Sequence, residues 1–521
     1  MKPDGPSNTS TPFLRLSAHP EGPGSVLRIS ESNSFRGTIF NVFISIVGGG
    51  VLGLPYSLSH CGIVVGVVSL CIVGIFVDIM IWMLLVSMDV TRMSSYSTMV
   101  EEIYGPRLGV LVDVFVVLNN FGVIVAMLDI IGDLVVSFVG FLAAPALLHS
   151  RAVLLSIITL CMLLPLTLQR NMGYLRHLSL LNFVVASVVA LVIIAMGTGL
   201  IDVSKTNDAE VVLVAGSPWE VVYPLSNMVF AFSCLMNIPC IYVQLRRKSS
   251  SHSRFYTKRS KMMLAVHLGM GMSAVFYIVV GAFGYLAFRD RVAQDVLSNL
   301  DYGTFGAAPY VSVSYSFVLC CAYPVNATSC SASLHRLLQH GKAAVHGAYN
   351  YKYRPFELWS PGNLSPFSSP SAIWSPAPAV PAEDDPAFTK ASSTKNLGSD
   401  VDDVTLHFSL GRRTSSDSVK VMMQEEKMPP PSDLVRVIEA TCLVAASLVT
   451  SLSVPGVSVV FALTGGLCSS ALTFIFPCMC FLKVRSGLGG CCRLFLGYGL
   501  LLFGLLVAVA TTGVTVVNML S

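Results

Sequence analysis

Between Asn41 and Tyr56 the chain reads Asn-Val-Phe-Ile-Ser-Ile-Val-Gly-Gly-Gly-Val-Leu-Gly-Leu-Pro-Tyr, a stretch of membrane-spanning character with four glycines and a proline at its centre. Glycine weakens a helix through backbone entropy and proline removes a donor from its hydrogen-bond ladder. Inside hydrocarbon such a break persists only where the freed N–H and C=O groups face protein, water or a ligand. The chemistry on offer is backbone recognition, with exposed amides from Val47, Gly48, Gly49, Gly50 and Val51 as candidates to hold a carboxylate. A second interrupted segment, Tyr223 to Tyr242, sets Pro224 and Pro239 around the polar Ser226, Asn227, Ser233 and Asn237. Its carbonyls at Phe230, Ala231, Phe232 and Ser233 are candidates to receive an ammonium group. Paired broken helices mark the binding site of many secondary carriers, and the pattern implies a carrier for a small zwitterion. The competing reading is two kinked packing helices, because Gly and Pro are common in membrane helices and small residues also serve close packing.

The elements that must position these groups follow from composition. Of 521 residues 53% are hydrophobic and 12% charged, and the mean hydropathy is +0.69, values outside the soluble globular range. Apolar runs long enough for a hydrocarbon core of roughly 30 Å lie near 36–60, 62–88, 108–140, 150–168, 175–201, 219–245, 262–288, 308–334, 433–453, 455–482 and 492–519. The expectation is an all-α polytopic membrane protein of eleven helices, with the broken segments as the first and sixth. If spans one to five and six to ten are inverted repeats, the two breaks occupy corresponding places.

Orientation follows from the loops, since short loops rich in Lys and Arg stay cytoplasmic. Arg246, Arg247, Lys248, Arg254, Lys258, Arg259 and Lys261 stand between spans six and seven with no acid among them, whereas Asp290, Asp295 and Asp301 stand between seven and eight. The N-terminus is therefore expected inside. Residues 1–35 carry Ser, Pro and Gly without a signal-peptide core and read as a cytosolic tail. Residues 337–432, with Pro and Ser clusters and the run Arg412-Arg413-Thr414-Ser415-Ser416, read as a disordered cytosolic insert. Spans one to eight then occupy 36–336 and nine to eleven 433–521. Cys491 and Cys492, at an inner helix end, are candidates for lipidation, with plain interfacial residues the commoner alternative.

Ionisable residues at membrane depth are functional candidates by default. Asp78, near the middle of span two, is the foremost: either it carries a coupling proton or it is an acid satisfied by a neighbouring helix. Asp129 and Asp133 share a face of span three near its outer end, where solvation is the simpler reading, as it is for His267 and Glu439 near inner ends. Asn119 and Asn120 lie deeper and suit hydrogen bonding between helices. No zinc-protease motif, P-loop, nucleophile elbow or paired Cys-x-x-Cys is present, so no enzyme, cofactor or metal is expected. Nor is there a basic aromatic surface for nucleic acid; the expected partners are substrate, membrane lipid and a coupling proton.

At these residues the chain resembles the amino acid/auxin permease family, which includes the neutral amino acid transporters of systems A and N. Phe40-Asn41 and Ile46 to Tyr56 are similar to the family's first helix, with Gly48-Gly49-Gly50 in place of its commoner Gly-Ser-Gly. Met228 to Cys234, Ile241-Tyr242 and Leu245 resemble the sixth, and Val454-Pro455, Ser458, Phe461, Gly465, Ser469, Phe476-Pro477 and Leu482-Lys483 the tenth. The resemblance implies a LeuT-type fold of five plus five helices in inverted repeat with one extra, working by alternating access on amino acids or close relatives. It covers all but the tail and the insert. In sodium-coupled members an asparagine of helix one and a threonine of helix eight help hold the cation. Asn41 matches the first, but Leu319-Cys320-Cys321-Ala322-Tyr323-Pro324 offers thiols, poor ligands for a hard cation. The family histidine of helix six is Leu235 here. The implication is proton-coupled or facilitative transport, in a plasma or vacuolar/lysosomal membrane. A nutrient sensor signalling through the insert is the alternative class.

Overall fold

A computed structural model describes residues 34–91, 93, 95–142, 150–169, 175–201, 210–214, 217, 219–245, 258–300, 306–345, 432–453, 460, 464–484 and 497–520. The N-terminal tail, nearly all of the insert, the basic run 246–254, Cys491, Cys492 and the Val454–Phe461 motif except Val460 lie outside them. Every element among the described residues is helical. In chain order they are α1 (Phe35–Ile46), α2 (Leu54–Cys61), α3 (Ile63–Thr91), α4 (Tyr96–Tyr104), α5 (Pro106–Phe141), α6 (Arg151–Ile158), α7 (Leu164–Leu168), α8 (Leu175–Gly197), α9 (Trp219–Ala231), α10 (Ile238–Gln244), α11 (Lys258–Phe288), α12 (Ala308–Val345), α13 (Asp433–Ser453), α14 (Phe476–Val484) and α15 (Leu500–Leu520).

Eight continuous helical stretches among these residues are long and apolar enough to cross a membrane, and nine if α1 and the bent Gly49–Cys61 segment form one span. Of the remaining expected crossings, α8 contributes a shorter apolar helix, Leu181–Gly197, and α9 and α10 are two short helices either side of a gap at 232–237. The polytopic all-helical architecture is thus present, with the expected spans one and six divided rather than continuous. α12 runs on to Val345, past the expected boundary at 336.

Packing sorts the helices into inner and outer. α5, α12 and the stretch Thr464–Val484 are buried over about two thirds of their apolar windows, whereas α3, α13 and the last span are buried over only a third. α3 shows the reason. Val64, Val68, Ile72 and Ile75 recur at helical spacing on its outer face and are 43–59% exposed, while Leu70, Val73, Val77 and Met80 on the other face are fully buried. An apolar stripe open to the outside is costly in water and is what lipid contact requires. α5 and α12 pair most extensively and form the central post.

The tenth stretch differs from a regular helix, because Thr464–Ser469 and Ala471–Ile475 are wound as π-helix. Such wide turns are costly and tend to appear where function needs them. Here they set Gly465 against α9 so closely that a Cβ at that position would lie 2.2 Å from the Ser226 carbonyl oxygen. Only glycine allows that approach.

Candidate functional site at the paired helix breaks

The first helix ends at Ile46, passes through an extended Val47 (φ −77°, ψ 97°) and a Gly48 at φ −129°, ψ −152°, and resumes as a 3-10 turn over Gly49–Gly53 before α2. The Val47 amide still bonds the Phe43 carbonyl at 2.8 Å, and that of Val51 bonds Gly48 at 3.4 Å. Among the described residues the amides of Gly48, Gly49 and Gly50 have no partner. These three, in the centre of the five expected, are the free donors.

The second break faces the first. A Cβ on Gly50 would stand 3.1 Å from the Ala231 Cα and 3.3 Å from the Phe230 ring. Beyond Ala231 the chain turns tightly, with the Phe230 carbonyl bonded to the Ser233 amide at 3.0 Å and that of Phe232 to Cys234 at 2.9 Å. The Ser233 carbonyl takes no hydrogen bond from a described residue. Asn227 ties the halves together, its Nδ2 donating to the Gly53 carbonyl at 2.9 Å and to Ser57 Oγ at 2.6 Å. Beside these contacts Gly48 opens on free space, with nothing within 4 Å of where its Cβ would be. The arrangement offers amides to an anion and a carbonyl to a cation across a narrow gap.

Two tyrosines complete the site, and the sequence reading did not single them out. Tyr277 of α11 is fully buried, and its hydroxyl lies 2.6 Å from the Ile46 carbonyl and 2.8 Å from that of Ala231. Tyr315 of α12 donates to the Gly48 carbonyl at 3.2 Å. A buried phenol must find a hydrogen-bond partner, so a tyrosine within an apolar span was the signal that could have pointed here.

The other candidates fall elsewhere. Asn41 is half-buried on α1, a turn and a half before the break. Asp78 shares a hydrogen bond with His267 Nδ1 at 2.9 Å, and Gly74, one turn away, faces the Phe232 ring with its Cβ position 3.5 Å from Cζ. The acid is therefore satisfied by a neighbouring helix and sits one turn from the second break. His267 was expected to be merely solvated; it is Asp78's partner. Asp78→Asn is expected to remove the pH dependence of uptake if this pair carries the proton, read as initial rates across a pH series; an unchanged profile would leave the pair structural.

Two further solvation readings are overturned by burial. Glu439 is 7% exposed and receives His335 Nδ1 at 2.8 Å. Asp129 is fully buried, accepting from Ser451 at 2.6 Å and Arg151 at 3.1 Å, with Arg151 also reaching Asp133 at 3.4 Å. Low dielectric makes an unpaired charge far costlier than a paired one, and the tertiary fold supplies the partners. Asn119 does bond between helices, accepting from Ser469 at 2.6 Å.

Asp133 and Arg151 line a cleft of about 380 Å³ with Asp295 and Ser298 of the turn after α11. That turn, Val296–Asn299, packs against the Gly49–Gly53 segment. Asp295 Oδ1 caps it by accepting the Leu297 amide at 2.9 Å, while Oδ2 is buried with no partner among the described residues. Burial pushes this carboxyl from 3.8 up to about 7 against the Leu297 amide that favours its charge, and the Asp133 carboxylate adds to the rise. A raised acid costs stability once ionised, so the penalty grows as pH climbs from about 4 to about 7 and is full above that. Asp295→Asn keeps the cap and is expected to raise the melting temperature at pH 8, by at most about 4 kcal/mol in stability, with the gain vanishing near pH 4. Thermal unfolding at the two pH values checks it.

The chain is similar to known transporters over more than half of its length. It is 27% identical over 317 residues to the zebrafish putative sodium-coupled neutral amino acid transporter 11, covering 59% of this chain and 66% of that one. To the Arabidopsis thaliana amino acid transporter AVT6A it is 28% identical over 341 residues, 61% and 71% of the two chains. The Saccharomyces cerevisiae vacuolar amino acid transporter 6 aligns over 460 residues at 23% identity, 85% and 88% of the two. All three are named as transporters, none as an enzyme. The profile described as "Transmembrane amino acid transporter protein" matches residues 31–517, a range that takes in both broken helices and the Tyr277 that bridges them, and the chain belongs to that family, the amino acid/auxin permeases.

Proposed function

We propose that the chain is a secondary transporter of amino acids or closely related amines that works by alternating access. The observation that carries this reading is the meeting of two broken helices at Gly50 and Ala231 beside three unpaired amides. A substrate carboxylate would sit at the amides of Gly48, Gly49 and Gly50, within the stretch Val47 to Val51, and its ammonium near Ser233, with Phe230, Ala231 and Phe232 forming the opposite wall. Half-helix ends supply the complementary partial charges. Eleven crossings follow if the bent α1–α2 pair, α8 and the α9–α10 pair are each one span, in two inverted repeats of five plus one. The membrane parts are then 36–336 and 433–521, with a tail at 1–35 and a linker at 337–432 on the cytosolic side. Coupling is to protons, or transport is facilitative, with Asp78 the candidate carrier and Asn41 a remnant of a cation site. The yeast relative's vacuolar name favours an internal membrane as the address.

Uptake of a panel of radiolabelled amino acids into liposomes containing the purified protein, with proton and sodium gradients imposed separately, tests the reading. Accumulation driven by protons, or equilibration without either gradient, is expected. Ligand-induced thermal stabilisation without flux would replace the carrier with a sensor.

A further inference from the structure

Tyr277 of α11 lies where the two breaks meet. Two half-helices end on it: Ile46 is the last residue of α1 and Ala231 the last of α9. Helix C-termini carry unsatisfied carbonyls and about half a negative charge each, and where two such ends converge on one point a cation is the expected occupant. Here that point is filled by the chain itself. One phenol oxygen stands 2.6 Å from one carbonyl and 2.8 Å from the other, with one proton to share between them. The ring is fully buried and packs edge-on against Phe232, 5.0 Å between centroids and 66° between planes, so it has no free volume in which to swing aside. The Gly48 carbonyl is engaged by Tyr315 in the same way. Asp78, one turn along α3 from the Gly74 that faces Phe232, is already held by His267. The carbonyls that would ligate a hard cation are therefore served by neutral hydroxyls.

We infer that the Tyr277 hydroxyl occupies the position of a coupling metal cation, so that this chain closes its substrate site between the two breaks without one. The inference rests on the transport reading and specifies it. A hydroxyl fixed in the fold does the work at every step of the cycle that a cation would do only when bound. Removing it should expose a vacancy with two carbonyls already in place.

The test is Tyr277→Phe in the full chain, purified and compared with the unaltered protein in sodium and in choline medium. The unaltered protein should show the same melting temperature and uptake in both. The variant should lose about tenfold in uptake in choline, in keeping with loss of one buried hydrogen bond, and should recover melting temperature and uptake in sodium. A folded variant indifferent to sodium would overturn the inference. So would a sodium-specific stabilisation of the unaltered protein, a measurement that stands even if the variant does not fold. Failure of the unaltered protein to move any amino acid would sink the transport reading instead, and the sodium-against-choline melting comparison, which needs no substrate, would still decide the role of Tyr277.

Discussion

Gly48→Val is expected to abolish uptake while leaving the protein folded with an unchanged melting temperature. The three glycines of the break sit in different surroundings, and that difference makes the result informative. A Cβ at Gly48 meets no described residue within 4 Å, and its φ of −129° lies outside the left-handed region that favours glycine. The fold therefore has no reason to object. The added methyls would project into the open space beside the free amides, where the substrate carboxylate is proposed to lie. At Gly49 a Cβ comes 3.3 Å from the tip of Ile130, a flexible end that can yield, so Gly49→Val should reduce uptake with a small loss of stability. At Gly50 the obstacle is the Ala231 backbone at 3.1 Å, and Gly50→Val should cost about 1–3 kcal/mol by overpacking in addition to its effect on transport. Uptake and thermal unfolding measured on the three variants separate a blocked site from a broken fold. Normal uptake by a folded Gly48→Val would remove the binding assignment at this break.

The largest stability effect is expected from Arg336→Met. Arg336 of α12 lies 2.7 Å from Asp113 of α5, whose side chain is 4% exposed, and also reaches Ser97 and, at 3.2 Å, Ser95, both next to or within α4. One guanidinium thus joins three elements at one end of the bundle. α4 is pinned from its other side, with the Tyr96 hydroxyl donating to the Leu472 carbonyl and Tyr104 to Met479, each at 2.7 Å. Removing the arginine strands a buried carboxylate, and breaking a buried pair from one side costs about 3–5 kcal/mol. Adding Asp113→Asn should return most of that loss, since the penalty comes from the uncompensated charge and not from the missing contact. Denaturant or thermal unfolding of the single and double variants gives the coupling directly. Additive losses would mean that the two residues do not depend on one another.

The two breaks were legible because the features that cause them are local. Consecutive glycines weaken a helix and a following proline lacks the N–H to extend it backwards, and the interruptions at 47–53 and 232–237 fall within the glycine-rich and Pro224–Pro239 segments. The spans were legible because lipid imposes a length and a composition on each one. The acids were not. Asp78 could be located in mid-span and Asp129 and Glu439 near span ends, but Ser451 is 322 residues from Asp129, His335 is 104 from Glu439 and His267 is 189 from Asp78. A solvated end and a paired core position look alike in one dimension. The π-wound turns of the tenth span were hidden for a related reason, because Gly465 within them meets the Ser226 carbonyl of a distant helix, a neighbour that the local sequence does not reveal.

By itself, then, the sequence determined that this is a many-spanned membrane protein with two helices obliged to break and backbone groups obliged to find partners. Propensity and hydropathy act over a few neighbouring residues and need no fold to be felt. Only the tertiary structure decided that the breaks meet at Gly50 and Ala231, that Gly48 alone of the three glycines faces open space, and that Tyr277 joins carbonyls lying 231 and 46 residues away along the chain. Those outcomes depend on which helices pack together, because a hydrogen bond reaches about 3 Å and is set by position in space.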